Sequence, residues 1–141
     1  MPNTILAFDY GSKKIGVANG QDLTRSASPL TTIMVNKSDR WGEIDKLVKE
    51  WRPSIMVVGL PLHMDGTEQP FTDEARNFAN ELGERYGCRI ELMDERLTSY
   101  EAEQLLKSQD SHKQSRQTPQ DVDKIAAQLI LESWFNQNMQ D

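Results

Sequence analysis

The sequence predicts an α/β domain built on a central mixed five-stranded sheet with helices packed on it. Three observations carry that expectation. Two apolar runs, Ile5 to Asp9 and Ile15 to Asn19, are separated by a short turn containing Gly11, the pattern of an antiparallel pair. Ile55-Met56-Val57-Val58-Gly59 is continuously apolar and bounded by Pro53 and Pro61, as in a strand covered by helices on both faces. A helical period between the two kinds of strand implies a parallel crossover, so the sheet is mixed.

The elements follow in order. After the first two strands, with Gly20 closing the second, Pro29 to Val35 reads as a third strand that completes an antiparallel meander. From Trp41 the period becomes helical, with Ile44, Leu47, Val48 and Trp51 on one face, and Pro53 ends that helix. The strand at 55–59 opens into Leu60 to Phe71, a loop rich in turn formers and placed to reach the same sheet edge as Asp9. Thr72 can cap a helix with Ala75, Phe78, Ala79 and Leu82 on its apolar face, and Gly87 stops it. Arg89 to Met93 is the fifth strand and runs straight into Asp94-Glu95-Arg96. Thr98-Ser99-Tyr100-Glu101 has capping-box spacing for a short helix through Lys107. Ser108 to Gln117 is without apolar residues and reads as a mobile, mildly basic connector. Thr118-Pro119 then starts the last helix, whose apolar arc is Val122, Ala126, Leu129, Ile130 and Trp134.

At 141 residues the chain reads as a single domain spanning 1–141. Cys88 is the sole cysteine, so neither an intrachain disulfide nor a thiolate zinc cluster can form. No apolar run approaches a membrane span and no signal pattern opens the sequence, which together with the cysteine usage leads us to expect a cytoplasmic protein. A net charge of −6 argues against coating nucleic acid by bulk electrostatics, yet allows a basic groove around an acidic, metal-filled site.

Three acidic positions carry the chemistry. Asp9 ends the first strand, Asp94 or Glu95 ends the last, and Asp123 lies within the apolar arc of the final helix, with Ala126, Ala127 and Ile130 as its neighbours. A carboxylate on a core-facing helix position is costly unless it is paired, hydrogen-bonded or bound to a cation. Parallel strands bring the first two positions to one sheet edge. Oxygen-only ligands select Mg²⁺ or Mn²⁺, and two such ions about 3.5–4 Å apart would support phosphodiester cleavage. Lys13 and Lys14 in the first turn are candidate phosphate contacts, and Arg96 could clamp a phosphate or pair with Asp94. Trp41, Trp51 and Trp134 stand at core spacing, and His63 reads as a loop side chain.

Four ordered blocks resemble the signature of the YqgF/RuvX family. They are Asp9-Tyr10-Gly11 with Ile15-Gly16-Val17-Ala18, Val58-Gly59-Leu60-Pro61 with Asp65-Gly66-Thr67-Glu68, Asp94-Glu95-Arg96-Leu97-Thr98, and Val122-Asp123 with Ala126-Ala127. The likeness runs from about residue 5 to residue 135, and it implies a ribonuclease H-like fold related to RuvC-type Holliday junction resolvases. It further implies a metal-dependent nuclease that processes the 5′ end of pre-16S ribosomal RNA, with Asp9, Glu95 and Asp123 as its acidic residues. The choice of Glu95 over Asp94 rests on that resemblance. One departure is the polar stretch from Ser108 to Gln120, where relatives often have glycine and lysine close to the aspartate. The expected partners are structured RNA, ribosomal precursor particles or, as an alternative substrate, branched DNA. Two other classes compete: a non-catalytic RNA- or ribosome-binding factor, and the actin-like ATPase and sugar-kinase group, which shares the Asp-x-Gly turn but needs two such domains around its nucleotide.

Overall fold

Gly11 lets the chain reverse between the first two apolar runs. Its N–H donates to Lys14 O at 2.9 Å, and a Cβ there would lie 2.8 Å from the same oxygen, so only glycine fits. The computed structural model describes residues 4–11, 13–35, 40–61, 67, 70–94 and 119–138, with side chains at all of these but 70, 119–123 and 138. The strands are β1 (Thr4–Tyr10), β2 (Lys14–Gln21), β3 (Ser26–Met34), β4 (Ile55–Leu60) and β5 (Arg89–Asp94). The helices are α1 (Arg40–Trp51), α2 (Pro70–Tyr86) and α3 (Pro119–Asn138).

One five-stranded sheet has the order β3-β2-β1-β4-β5. β2 is antiparallel to both β1 and β3, whereas β4 is parallel to β1 and to β5. The meander and the parallel crossovers expected from sequence are therefore present. β3 begins earlier than expected and contains Pro29, which an edge strand tolerates because one of its N–H rows has no partner strand. Between Val17 and Ala18 the register passes from Thr31 to Pro29, so Leu30 is the extra residue of a bulge.

The sheet is covered on both faces. Leu6 and Phe8 of β1, Met56 and Val58 of β4, and Ile44, Phe78, Ala79 and Leu82 of α1 and α2 form one core cluster. Ile5, Ala7, Ala18, Val57 and Met93 form the other, with Ala127, Ile130, Leu131, Trp134 and Phe135 of α3. Val57 and its neighbours Met56 and Val58 are all fully buried, as a strand between two layers requires. Trp134 belongs to the second cluster, and Trp41 and Trp51 pack against the first.

Two expectations need correction. α2 starts at Pro70, with proline at the first helical position, so Thr72 is inside the helix and is not its cap. The fully buried Thr72 hydroxyl donates instead to Pro61 O, just past the end of β4. The buried arc of α3 is Ala126, Ala127, Ile130, Leu131, Trp134 and Phe135, while Leu129 is only half-buried. The helix is rotated because Leu131 and Phe135 seat on Gly20, where an added Cβ would come within 2.8 Å and 3.1 Å of their side chains. Gly87 ends α2 as expected, with φ at 61° and its N–H on Gly83 O at 2.9 Å. The expected helix through Lys107, the connector from Ser108 to Gln117, and Thr118 lie outside the described residues.

Candidate active-site edge of the sheet

Strand alternation decides which side chains can meet. On β1, Leu6 and Phe8 belong to the cluster under α1 and α2, and Ile5 and Ala7 to the cluster under α3. Asp9 continues the Ile5 and Ala7 series and so stands on the α3 face, half-buried, one residue from the strand's end. Its direct partner on β2 is Gly16. On the other side, Phe8 pairs with Val58, and the next residue of β4 is the buried Gly59. Asp9 is thus bordered on both neighbouring strands by positions without side chains, which keeps space beside its carboxylate and allows close backbone approach.

The same reasoning places Asp94. Ile90 packs against the cluster under α1 and α2, where α2 approaches it so closely that a Cβ on Gly83 would lie 3.2 Å from Ile90 Cγ1. Met93 lies in the cluster under α3. Asp94, in step with Ile90, is exposed on the α2 side, the face opposite Asp9. It pairs with Leu60 at the end of β4, so the carboxyl ends of β1, β4 and β5 share one edge, as expected from sequence. Glu95 and Arg96 follow immediately and lie outside the described residues, as does His63.

Asp123 is in α3, three and four residues before the buried Ala126 and Ala127, and its side chain is not among those described. The carboxyl half of α3 rests on Gly20, the partner of Ile5 at the beginning of β1. Lys13 is exposed in the β1–β2 turn. Lys14 is half-buried at the start of β2, in step with Gly16 and hence on the face of Asp9, as its diagonal neighbour across the hairpin. Cys88 stands at the opposite edge, before β5, with Sγ donating to Pro53 O at 3.5 Å. Burial pushes its thiol pKa up, only partly countered by a backbone N–H, and the half-buried side chain packs against the cluster under α1 and α2.

A family profile described as RuvX, Holliday junction resolvase, matches residues 3–137 of this chain. The chain belongs to the RuvX family. Curated RuvX relatives carry the name "Putative pre-16S rRNA nuclease": one from Haemophilus ducreyi is 47% identical over 139 residues, covering 98% of this chain and 99% of its own. Another, from Edwardsiella ictaluri, is 49% identical over 135 residues, covering 95% of each chain. RuvX is thus grouped with nucleases, a class of hydrolases. Among solved structures, Thermus thermophilus RuvC in complex with a Holliday junction substrate aligns with TM-score 0.55 at 15% identity, over 97% of this chain and 96% of that one. The yeast mitochondrial Holliday junction resolvase Ydc2 aligns with TM-score 0.50 at 11% identity, over 92% of this chain and 76% of that one. At those identities the likeness concerns the fold, which is the ribonuclease H-like one. Among the described residues no helix is long and apolar enough to cross a membrane.

Proposed function

We propose that this RuvX protein is a metal-dependent nuclease that cleaves phosphodiester bonds in maturing the 5′ end of pre-16S ribosomal RNA, with Asp9, Glu95 and Asp123 as its acidic residues. The observation that carries the reading is Asp9 on the α3 face of the sheet, at the edge where β1, β4 and β5 end, with Gly16 opposite. Two further points support it. Asp94 stands on the α2 side, opposite Asp9, which counts against it and leaves Glu95 as the acidic candidate after β5. Position 123 precedes Leu131 by about 12 Å of helix, and Asp9 follows Ile5 by about 13 Å of strand. With Leu131 fixed over Gly20, the partner of Ile5, the first turns of α3 have the length to reach the level of Asp9.

The donor chemistry fits a hard divalent cation. Asp9, Glu95 and Asp123 offer oxygen alone, and the single thiol is at the far edge. Among the described residues no three acidic, histidine or cysteine side chains converge, so the trio becomes complete only with Glu95 and the Asp123 carboxylate. Bound there, Mg²⁺ or Mn²⁺ would lower the pKa of a water and stabilise the leaving oxyanion. The chain's own part is to hold the carboxylates, to keep the neighbouring strand positions empty of side chains, and to supply Lys14 on the same face as a phosphate contact, with Lys13 at the rim and Arg96 beyond β5.

Purified protein should cut a pre-16S RNA substrate in Mg²⁺ or Mn²⁺, and Asp9→Asn should lower the rate by at least about 100-fold while leaving binding in EDTA within about twofold. Cleavage of a four-way DNA junction in preference to the RNA would move the substrate to branched DNA. Unchanged ribosomal RNA maturation in cells carrying Asp9→Asn would instead make the protein a binding factor.

A further inference from the structure

We propose that Arg40 is a further substrate contact, which with Lys13 and Lys14 forms a cationic rim that holds the nucleic-acid backbone on the β3 side of Asp9. The inference rests on the nuclease reading and adds a direction for the bound strand.

β2 is antiparallel to β1 and β3, so β3 ends at the same edge as β1. Its last residue, Met34, pairs with Lys14. The next residue bonds both neighbouring segments through its backbone: Val35 N–H donates to the main-chain oxygen of Lys13 at 2.8 Å, and Val35 O accepts from Arg40 Nη1 at 3.0 Å. That bond fixes the guanidinium at the first residue of α1 and uses one of its five donors. Among the described residues, Lys13, Lys14 and Arg40 have no carboxylate partner. The arginines of α2 and β5 differ, since Arg76, Arg85 and Arg89 are each paired with an acid, Asp73, Glu81 and Glu91.

In a chain of net charge −6, the exposed Lys13 and the half-buried Lys14 and Arg40 stand together at the edge where β1 and β3 end. Lys13, by its backbone carbonyl, and Arg40, by its guanidinium, both bond the backbone of Val35. β3 lies two strands from β1, about 10 Å in the plane of the sheet, and α1 packs on the face opposite Asp9, so the rim runs across the end of the sheet, away from the reacting carboxylates and toward flanking phosphates. A planar, partly anchored guanidinium suits such a phosphate, because little side-chain freedom is lost on binding.

The test is the salt dependence of binding to a fluorescein-labelled single-stranded RNA spanning the 5′ end of 16S, measured in EDTA so that nothing is cut. Arg40→Gln removes the charge while its amide can still donate to Val35 O. It should weaken binding about 3- to 10-fold at roughly 100 mM salt and make the slope of log K against log salt shallower by about 0.7, one phosphate's worth. Arg40→Lys should keep the wild-type slope, and thermal melting should show both variants folded. Wild-type affinity and slope in Arg40→Gln would overturn the proposal, as would an equal loss in Arg40→Lys, which keeps the charge. A wild-type protein with no salt-dependent RNA binding would remove the nuclease reading itself.

Discussion

Single residues show how local chemistry and chain geometry divide the work. Two helices end on the same left-handed backbone but with different residues: α2 on Gly87 at φ 61°, α1 on Arg52 at φ 47°. Arg52 N–H bonds Val48 O at 2.8 Å, as Gly87 bonds Gly83. A side chain in that conformation costs about 1 kcal/mol, and around Gly87 an added Cβ would meet nothing within 4 Å. Gly87→Ala should therefore lose about 1 kcal/mol from backbone strain alone, and Arg52→Gly should gain up to about the same amount. Urea unfolding of the two variants beside wild type reads both signs. The glycine was legible as a stop in the sequence, whereas nothing in Trp51-Arg52-Pro53 states that an arginine takes the left-handed position. Asp9 was legible too, as a carboxylate ending an apolar run. Its glycine neighbours on both adjacent strands were not, because register is a property of paired strands.

Between elements, side chains join what periodicity leaves separate. The Tyr86 hydroxyl at the end of α2 donates to Asp45 of α1. Burial first, and then the hydrogen bond and negative charge of Asp45, raise the tyrosine pKa well above its ordinary value near 10. The folded protein thus holds this proton more tightly than the unfolded chain does. The associated stability is complete below about pH 10, where both states are protonated, and it is lost as the pH rises above that toward the folded value. Tyr86→Phe should cost about 1 kcal/mol at neutral pH through the lost bond. It should also flatten the alkaline fall in stability, which denaturant midpoints from about pH 8 to 11 would show. A wild-type slope in the variant would contradict the assignment. Periodicity placed Phe78, Ala79 and Leu82 correctly on the core face of α2. It misjudged Thr72, whose hydroxyl serves Pro61 after β4, because a cap and a tertiary bond ask for the same residue type.

At the scale of the molecule, α3 closes one face of the sheet by sitting directly on the β2–β3 pair. At Gly20 a Cβ would lie 2.5 Å from Ser26 O on one side and 2.8 Å from Leu131 Cδ2 on the other, and the carbonyl cannot move aside cheaply. Gly20→Ala should therefore destabilise the whole fold by about 1–3 kcal/mol. It should also loosen α3 more than α1 or α2, seen as faster amide exchange through residues 126–135. Unchanged exchange there would mean that the helix does not depend on this seat. By itself the sequence determined the α/β class, the meander, the doubly covered β4, the Asp9 strand end and the family, because these rest on local periodicity, turn chemistry and ordered motifs. Only the tertiary structure decided that Asp94 faces away from Asp9, that glycines border Asp9, that α3 is rotated onto Gly20, and that the Lys13 carbonyl and the Arg40 guanidinium both bond the backbone of Val35. Each of those depends on strand register or helix rotation, and such contacts form between residues far apart in the chain, where no local pattern records them.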